Sequence, residues 1–253
     1  MKFQLIRSAT LRMEYGGLTI LIDPMLGPKH TFTSFAGIED NPTTDLPLPI
    51  SEVLKNVDLI LVSHQHQDHF DVQAQEMIDK SIPIFCQPGD RENIETHGFT
   101  NVMEISNEIE CQKIKIKRTS GQHGTGSWGE RLNPVSGFVL QSPSEPTVYW
   151  VGDSVWCDEV QHALDEYQPD VIMTHSGGAE LEDSGPIIMD AVQTIKVCEA
   201  IPTSIVIATH LEALDHCKTS RKSLRIAATE AGITADRLRI PGDGEQITIE
   251  KDI

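Results

Sequence analysis

The sequence has few basic residues and no long apolar run, and these two shortages exclude several kinds of partner. Lys and Arg together number 20 against 38 Asp and Glu, which gives a formal net charge of −18 at pH 7. Nucleic-acid binding draws much of its affinity from basic side chains that neutralise phosphates, so we expect no nucleic-acid partner. No apolar run reaches the roughly 18 residues of a membrane span, so we expect no membrane association.

Paired cysteines and a targeting segment are also lacking. The five cysteines are odd in number and scattered, and no two of them form a CxxC pair. This usage fits a reducing compartment rather than a disulfide framework. Residues 1–7 lack the apolar stretch and small-residue cleavage site of a signal peptide. We therefore expect a cytoplasmic protein.

Hydrophobic periodicity predicts an α/β fold. Short apolar or alternating segments predict strands in the first half, and residues 57–63 form a continuous apolar run typical of a buried strand. From residue 147 onward, predicted strands alternate with helices, one of them over residues 188–200 with an apolar face made of Ile188, Val192, Ile195 and Cys198. Sheets covered on the outside by helices favour a layered αββα arrangement in a single domain, residues 1–253.

Two segments without clear periodicity are candidates for the walls of a binding site. Residues 27–50 contain four prolines, and loops of this length inside compact domains are usually functional or mobile. We interpret this segment as a lid or pocket wall. In residues 124–134, Trp128, Arg131 and Asn133 are candidate substrate contacts, since an Arg side chain suits phosphate or carboxylate. A loop packed on the sheet edge is the alternative.

The strongest local signal is the run His64-Gln65-His66-Gln67-Asp68-His69, directly after the predicted strand 57–63. Residues two apart in an extended segment project to the same side, so His64 and His66 are placed to hold one metal ion. Asp68 and His69, across the following turn, are placed to reach a second ion. Imidazole and carboxylate groups are ligands for zinc and other divalent first-row metals. A hydrophilic turn with chance histidines is the alternative.

Three further residues of ligand type follow later predicted strands. His123 follows the predicted strand 113–118, Asp153 follows the strand 147–151, and His210 comes at the end of the strand 204–209. Ligands in α/β folds bind where strand ends and loops converge. A single histidine in such a place is usually an ordinary hydrogen-bonded residue, so the joint placement of all three carries the prediction of a metal site.

The HxHxDH run, followed by separate His, Asp and His residues at strand ends, resembles the metallo-β-lactamase superfamily. The order of these residues matches along nearly the whole chain, from Asp23 to His210. The resemblance implies a four-layer αββα sandwich, two metal ions, and a buried structural role for Asp23, for which an ordinary turn residue before Pro24 is the alternative. The implied ligands are, for the first ion, His64, His66 and His123, for the second, Asp68, His69 and His210, and for both, as a bridge, Asp153.

Softer features resemble one group of the superfamily, typified by the bacterial ascorbate-phosphate lactonase. They are the compact length, the early Leu21-Ile22-Asp23-Pro24, the segment Gln122-His123-Gly124 and the segment His210-Leu211-Glu212-Ala213. The antibiotic-degrading β-lactamases usually carry other ligands for the second metal and a secretion signal, and this sequence shows neither feature. We therefore do not expect a β-lactamase.

These ligand types predict a metal-dependent hydrolase that acts on a small-molecule substrate. A bound divalent ion converts water to hydroxide near neutral pH and polarises a carbonyl or phosphoryl oxygen. We expect two ions, with zinc as the first choice and manganese, iron or nickel as alternatives that accept the same ligands. Asp68 is the predicted catalytic residue, which would orient the attacking water and carry its proton. The predicted substrates are a small ester, lactone or phosphoester.

Several alternatives stay open. An amidohydrolase-type barrel also begins with HxH after a strand, but it needs eight strand–helix repeats that the hairpin-like first half lacks. A nuclease of the same superfamily is disfavoured by the acidic balance, and a non-catalytic metal-binding protein would keep the same ligands. The roles of four residues near the ligands are also open, as pocket or orienting residues: His175, Glu212, Asp215 and His216.

Overall fold

The computed structural model describes residues 1–251, whose strands form two seven-stranded sheets. The first sheet contains, in spatial order, β14 (Gln246–Thr248), β1 (Lys2–Arg7), β2 (Thr10–Tyr15), β3 (Leu18–Ile22), β4 (Leu59–Val62), β5 (Ile84–Cys86) and β6 (Val102–Glu104). The second contains β13 (Leu238–Arg239), β12 (Ile205–Thr209), β11 (Val171–His175), β10 (Val148–Trp150), β9 (Ser136–Gln141), β8 (Ile114–Ser120) and β7 (Glu108–Cys111).

Helices cover the outer faces of both sheets. On the first sheet these are α1 (Ile50–Val53), α2 (Val72–Met77) and α3 (Arg91–Thr96), and on the second α5 (Asp158–Tyr167), α6 (Ala191–Ala200) and α7 (Arg221–Glu230). The short helix α4 (Gly126–Leu132) follows β8. None of the helices in the described part of the chain is long and apolar enough to cross a membrane.

Strand β4 shows why its sequence is a continuous apolar run. Leu59 and Leu61 point into the core between the two sheets, where Phe138 and Trp150 lie. Ile60 and Val62 point to the opposite face and pack with the helices of the first sheet. Alternating side chains that are buried on both faces leave no polar position in the strand. The predicted four-layer α/β fold is confirmed.

Helix α6 corrects the predicted helix over residues 188–200. It begins at Ala191, because the Asp190 side chain caps it by accepting a hydrogen bond from Gln193 N at 2.8 Å. Val192 was predicted on the buried face but is 62% exposed. The residues that this helix buries are Thr194, Val197 and Cys198.

Strand direction brings the candidate ligands to one edge of the two sheets. β3 and β4 are parallel, and β10, β11 and β12 are parallel to one another. β8 is antiparallel to β9, which is antiparallel to β10, so β8 runs in the same direction as β10. The carboxyl ends of these strands therefore deliver the loops that carry the candidate site.

Candidate metal centre

The structure brings all seven predicted ligand residues together at the carboxyl ends of the strands. All but His66, which is partly exposed, are buried. Six of them fall into two groups that meet at Asp153, and Asp68 lies beside the second group. The residues that the structure brings together are His64, His66, Asp68, His69, His123, Asp153 and His210.

The first group, which we name the three-histidine cluster, consists of His64, His66 and His123. One ring nitrogen from each residue lies within 4.8 Å of the others, and His64 Nε2 is 2.9 Å from His66 Nδ1. His123 Nδ1 donates a hydrogen bond to Ile187 O at 2.9 Å, which leaves its Nε2 lone pair for a ligand. The cluster therefore presents nitrogen donors and no carboxylate of its own.

The second group, which we name the carboxylate cluster, consists of His69, Asp153, His175 and His210. All four are buried, and one ligand atom from each lies within 4.8 Å of the others. Asp153 Oδ2 is 3.1 Å from His69 Nε2, and Asp153 Oδ1 is 2.5 Å from His175 Nδ1. Asp153 also reaches the other group, with Oδ2 3.5 Å from His123 Nε2 and 3.8 Å from His64 Nε2.

Asp68 lies beside the carboxylate cluster and faces the cavity above it. Its Oδ2 is 3.2 Å from His210 Nε2 and 3.6 Å from His69 Nε2. The side chain is almost fully buried, yet it contributes to the lining of the pocket. Asp68 therefore shares with Asp153 both the contact with His69 and His210 and a place in the cavity wall.

Asp23 holds His69 from behind. It is fully buried and accepts hydrogen bonds from Ser63 N and Ser63 Oγ, both at 2.7 Å. Its Oδ2 also accepts from His69 Nδ1 at 3.0 Å, so the opposite ring nitrogen of His69 points to Asp153. A carboxylate that orients a ligand imidazole in this way is common at metal sites. Asp23 is therefore a structural carboxylate in this fold, not a surface turn residue.

Two glycines let the loops approach closely enough to aim the ligands. Gly152, with φ of +74°, precedes Asp153, and a Cβ there would lie 2.4 Å from Ser136 O. A Cβ on Gly177 would lie 2.2 Å from His210 O. A side chain at Gly152 would push the loop that carries Asp153 away from Ser136, and one at Gly177 would displace the backbone of His210.

The electrostatics of the two clusters differ. Burial, together with the neighbouring His69 and His66, lowers the pKa of His64 well below its usual range, and burial also lowers the pKa of His123. Burial alone would lower the pKa of His69, but the carboxylates of Asp153, Asp68 and Asp23 outweigh it and raise the pKa to about 10. His64 and His123 thus favour the neutral imidazole, whereas His69 favours the charged one.

The neighbouring histidines keep the carboxylates of Asp153 and Asp68 ionised. Burial alone would raise the pKa of Asp153 and of Asp68, but His69 and His210 hold both well below their usual range. Burial similarly opposes charge on His210, whereas Asp153 and Asp68 raise its pKa. Opposite charges in contact therefore hold this cluster together.

The donor set fits divalent metal ions. Imidazole nitrogens and carboxylate oxygens are the ligands of zinc and related ions, and here they converge from separate strands. His210 Nε2 and His175 Nε2 are buried without a hydrogen-bond partner among residues 1–251, which a ligand would supply. His175, left open as a pocket residue by the sequence, is instead fully buried against Asp153, and burial lowers its pKa to about 4.

Three residues whose roles the sequence left open make contacts away from the pocket. Glu212 does not orient His210 but accepts hydrogen bonds from Arg221. Asp215 does not orient His210 either, and binds residues of the segment that follows β3. Arg131 lies over the ring of Trp128, 4.2 Å from its centroid, and does not line the pocket. Proximity in sequence to His210 or His123 therefore does not place these three side chains in the pocket.

A cavity of about 330 Å³ opens above the two clusters. Apolar side chains supply much of its surface, and no Lys or Arg is among the described residues that line it. The polar and metal-ligand types in the lining are Gln65, His66, Gln67, Asp68, His123, Asp153, His210 and His216, and the apolar ones are Phe35, Leu132, Ala179, Leu181, Ile187 and Ile188.

Comparison with known proteins defines the class of this protein. A family model described as a Beta-lactamase superfamily domain matches residues 2–210. The two helix-covered sheets and the strand-end His and Asp clusters agree with this match. The chain belongs to the metallo-β-lactamase superfamily.

The relatives narrow the description to a metal-dependent hydrolase of that superfamily. The chain is 35% identical over 251 residues to UPF0173 protein YddR of Bacillus subtilis (strain 168), covering 96% of this chain and 98% of the relative. It is 22% identical to a UPF0173 metal-dependent hydrolase of Xanthobacter autotrophicus (strain ATCC BAA-1158 / Py2), covering 70% of this chain and 72% of that one. The resemblance to the ascorbate-phosphate lactonase group stays a prediction.

Two solved structures are similar over almost the full length. A possible metal-dependent hydrolase from Veillonella parvula DSM 2008 has a TM-score of 0.95 and 34% identity, covering 98% of this chain and 99% of that one. An isothiocyanate hydrolase from Delia radicum gut bacteria has a TM-score of 0.94 and 34% identity, covering 99% and 100%. Both agree with the fold described above.

Proposed function

We propose that this protein hydrolyses a small, uncharged and largely apolar substrate at two metal ions, with zinc as the first choice. The observation that carries the proposal is the composition of the pocket. Among its described lining residues, the candidate metal ligands stand beside apolar side chains, and no Lys or Arg is present. Phosphate and carboxylate groups are generally held by Arg or Lys. The lining therefore supports a neutral ester, lactone or similar electrophile over a phosphoester.

The residues of the two clusters take distinct parts in this proposal. The three-histidine cluster would hold one ion, and His69, Asp153 and His210 a second, with His175 and Asp23 orienting Asp153 and His69. Bound divalent ions acidify water and polarise the electrophilic group of the substrate. Because Asp68 faces the cavity in its ionised form, it is placed to accept a proton from the attacking water and to pass it to the leaving atom.

An isothiocyanate is a second candidate substrate, and the pocket gives it support. Such a compound is small and uncharged, and its electrophilic carbon lies between nitrogen and sulfur. When water adds to that carbon and both protons of the water pass to nitrogen, the products are an amine and carbonyl sulfide. The similarity to an isothiocyanate hydrolase at 34% identity makes this reaction a specific proposal for this chain.

The test is a matched panel of substrates with protein reconstituted in zinc or manganese. The neutral members are benzyl isothiocyanate, phenyl acetate and a lactone with an apolar side chain, and the charged member is bis(p-nitrophenyl) phosphate. We expect turnover of at least one neutral compound, abolished by a chelator and restored by metal. Preference for the phosphodiester would contradict the proposed substrate class.

The same panel separates the rival functions. A single-stranded oligonucleotide added to the panel tests the nuclease alternative, for which the net charge of −18 offers little support. A protein that binds metal tightly and turns over no member of the panel would favour the non-catalytic alternative. Failure to bind metal after reconstitution would contradict every function proposed for the site.

A further inference from the structure

The segment between β3 and α1 brings one aromatic side chain to the pocket. We name residues 27–44 the pocket loop. Phe35 lies in this loop, partly exposed, and lines the cavity together with Asp68 and His210. The contacts of the pocket loop show whether it is mobile or held in place.

The base of the pocket loop is fixed from inside the molecule. Arg7 is fully buried and donates hydrogen bonds to Met25 O at 3.1 Å, Gly27 O at 2.8 Å and Thr44 O at 2.9 Å. Asp71 accepts a hydrogen bond from Gly27 N at 2.6 Å. Arg7 of β1 therefore holds both ends of the loop, and Asp71, the N-cap residue of α2, also holds its first residue.

The tip of the loop is held by one carboxylate from a distant part of the chain. Burial alone would raise the pKa of Asp215, but its hydrogen bonds hold the pKa well below the usual range. It accepts hydrogen bonds from five loop donors, which are the hydroxyl of Ser34, the side-chain amide of Asn41 (2.8 Å) and the backbone amides of Phe35 (3.0 Å), Ala36 (3.1 Å) and Ile38 (3.2 Å).

His216, the next residue, supports Phe35 from the side of the pocket. The two rings meet edge to face with centroids 4.9 Å apart. His216 is only 5% exposed, lines the same cavity, and its Nδ1 has no hydrogen-bond partner in the described chain. Two consecutive residues therefore fix Phe35, Asp215 through the backbone and His216 through the ring.

We propose that Phe35 determines the preference of the site for the apolar part of its substrate, and that Asp215 is the positioning residue that keeps Phe35 on the pocket. This inference rests on the proposed function, because it assigns the apolar wall to substrate recognition. A ring whose backbone is already ordered loses little conformational entropy when a ligand packs against it. The same ring on a free loop would have to be ordered at each binding event.

The first measurement tests the positioning role without any substrate. Asp215→Asn keeps the size of the side chain but removes the charge and replaces one acceptor oxygen by a donor. We expect the peptide 31–41 to take up deuterium about tenfold faster or more in this variant, since local opening governs exchange. Asp183→Asn is the matched control, because Asp183 is an exposed carboxylate in another loop near the pocket, and it should leave uptake unchanged.

The second measurement tests the preference with two metal-chelating probes on zinc-loaded protein. Acetohydroxamic acid and phenylacetohydroxamic acid share their chelating group and differ in the phenyl ring. We expect the parent to bind the phenyl compound more tightly, and Phe35→Ala to reduce that preference about tenfold through lost apolar contact. Phe35→Leu should keep most of the preference, and Asp215→Asn should reduce it without changing the affinity for acetohydroxamic acid.

Each role can be overturned separately. An unchanged ratio of the two dissociation constants in Phe35→Ala, at normal zinc content, would remove Phe35 from substrate selection, as would a parent without preference for the phenyl compound. Unchanged deuterium uptake in Asp215→Asn would remove the positioning role. Neither measurement needs turnover. A parent that hydrolyses no member of the substrate panel would therefore refute the proposed function without deciding the roles of Phe35 and Asp215.

Discussion

The three-histidine cluster and the carboxylate cluster lie at the same edge of the sheets but differ in the charge of their side chains. The first contains no carboxylate, and its His66 is partly exposed at the pocket. In the second, every histidine faces Asp153, at 3.1 Å for His69, 2.5 Å for His175 and 3.8 Å for His210. The comparison shows one set built from imidazole nitrogens alone and another built around a buried carboxylate.

The largest expected effect is that of Asp153→Asn, because the Asp153 carboxylate lies against the histidines of its own cluster and also faces His64 and His123. We expect the zinc content to fall well below that of the parent. We also expect the metal-free variant to lose roughly 3–5 kcal/mol of unfolding free energy, since His69 and His210 lose a buried anionic partner. Elemental analysis and urea denaturation measure the two effects, with Asp183→Asn as the control for a lost carboxylate. Full metal content and activity in Asp153→Asn would show that it bridges nothing.

Asp68→Asn should separate chemistry from metal binding beside the carboxylate cluster. The amide keeps the size and one possible ligand oxygen but cannot accept the proton. We expect a modest loss of metal affinity and a loss of turnover of about 10²–10⁴-fold, the usual contribution of general acid–base catalysis. Rates should be compared at saturating metal. A fully loaded variant within a few-fold of the parent would make Asp68 a structural ligand only.

A pair of single substitutions tests whether the clusters are independent. His66→Ala removes a donor from the three-histidine cluster, and His210→Ala removes one from the carboxylate cluster. Each variant should retain about one ion per chain, since the other ligand set stays complete. Zinc analysis of the two variants beside the parent gives the answer. If either change emptied both clusters, the division into two sites would be wrong.

The grouping of the candidate ligand residues was predictable because they combine two strong local signals. The run from His64 to His69 follows an apolar segment, and His123, Asp153 and His210 follow others. Parallel strands bring such ends to one edge, so the pattern along the chain predicted the grouping in space. The layered fold followed from the same alternation of strands and helices.

What the sequence could not predict depends on contacts between distant residues. Asp215 binds donors about 175–180 positions away, and nothing near it in sequence indicates the pocket loop. Whether His175 lines the cavity or packs behind Asp153 depends on how strand β11 is set against its neighbours. Val192 was misplaced because the predicted apolar stripe started from Ile188, which lies before the Asp190 cap and outside α6.

The smallest expected effect is a difference in how the two clusters respond to pH. His69 in the carboxylate cluster has a pKa raised to about 10, so an ion that binds there displaces a proton at any lower pH, and its affinity falls as pH decreases. The pKa values of His64 and His123 are lowered, so these ligands are already unprotonated near neutral pH. The three-histidine cluster should therefore lose less affinity over the same pH range.

Zinc titrations of the two single-cluster variants from about pH 8 to pH 6 measure this difference, with a limit of about tenfold per pH unit for each proton displaced. His66→Ala reports the carboxylate cluster, and His210→Ala reports the three-histidine cluster. Calorimetry in two buffers of different ionisation enthalpy counts the protons released directly. Because Asp153, Asp68 and Asp23 together raise the pKa of His69, Asp23→Asn in the His66→Ala background should flatten the slope. Equal slopes in the two single-cluster variants would mean that the charges of the carboxylate cluster do not govern its metal binding.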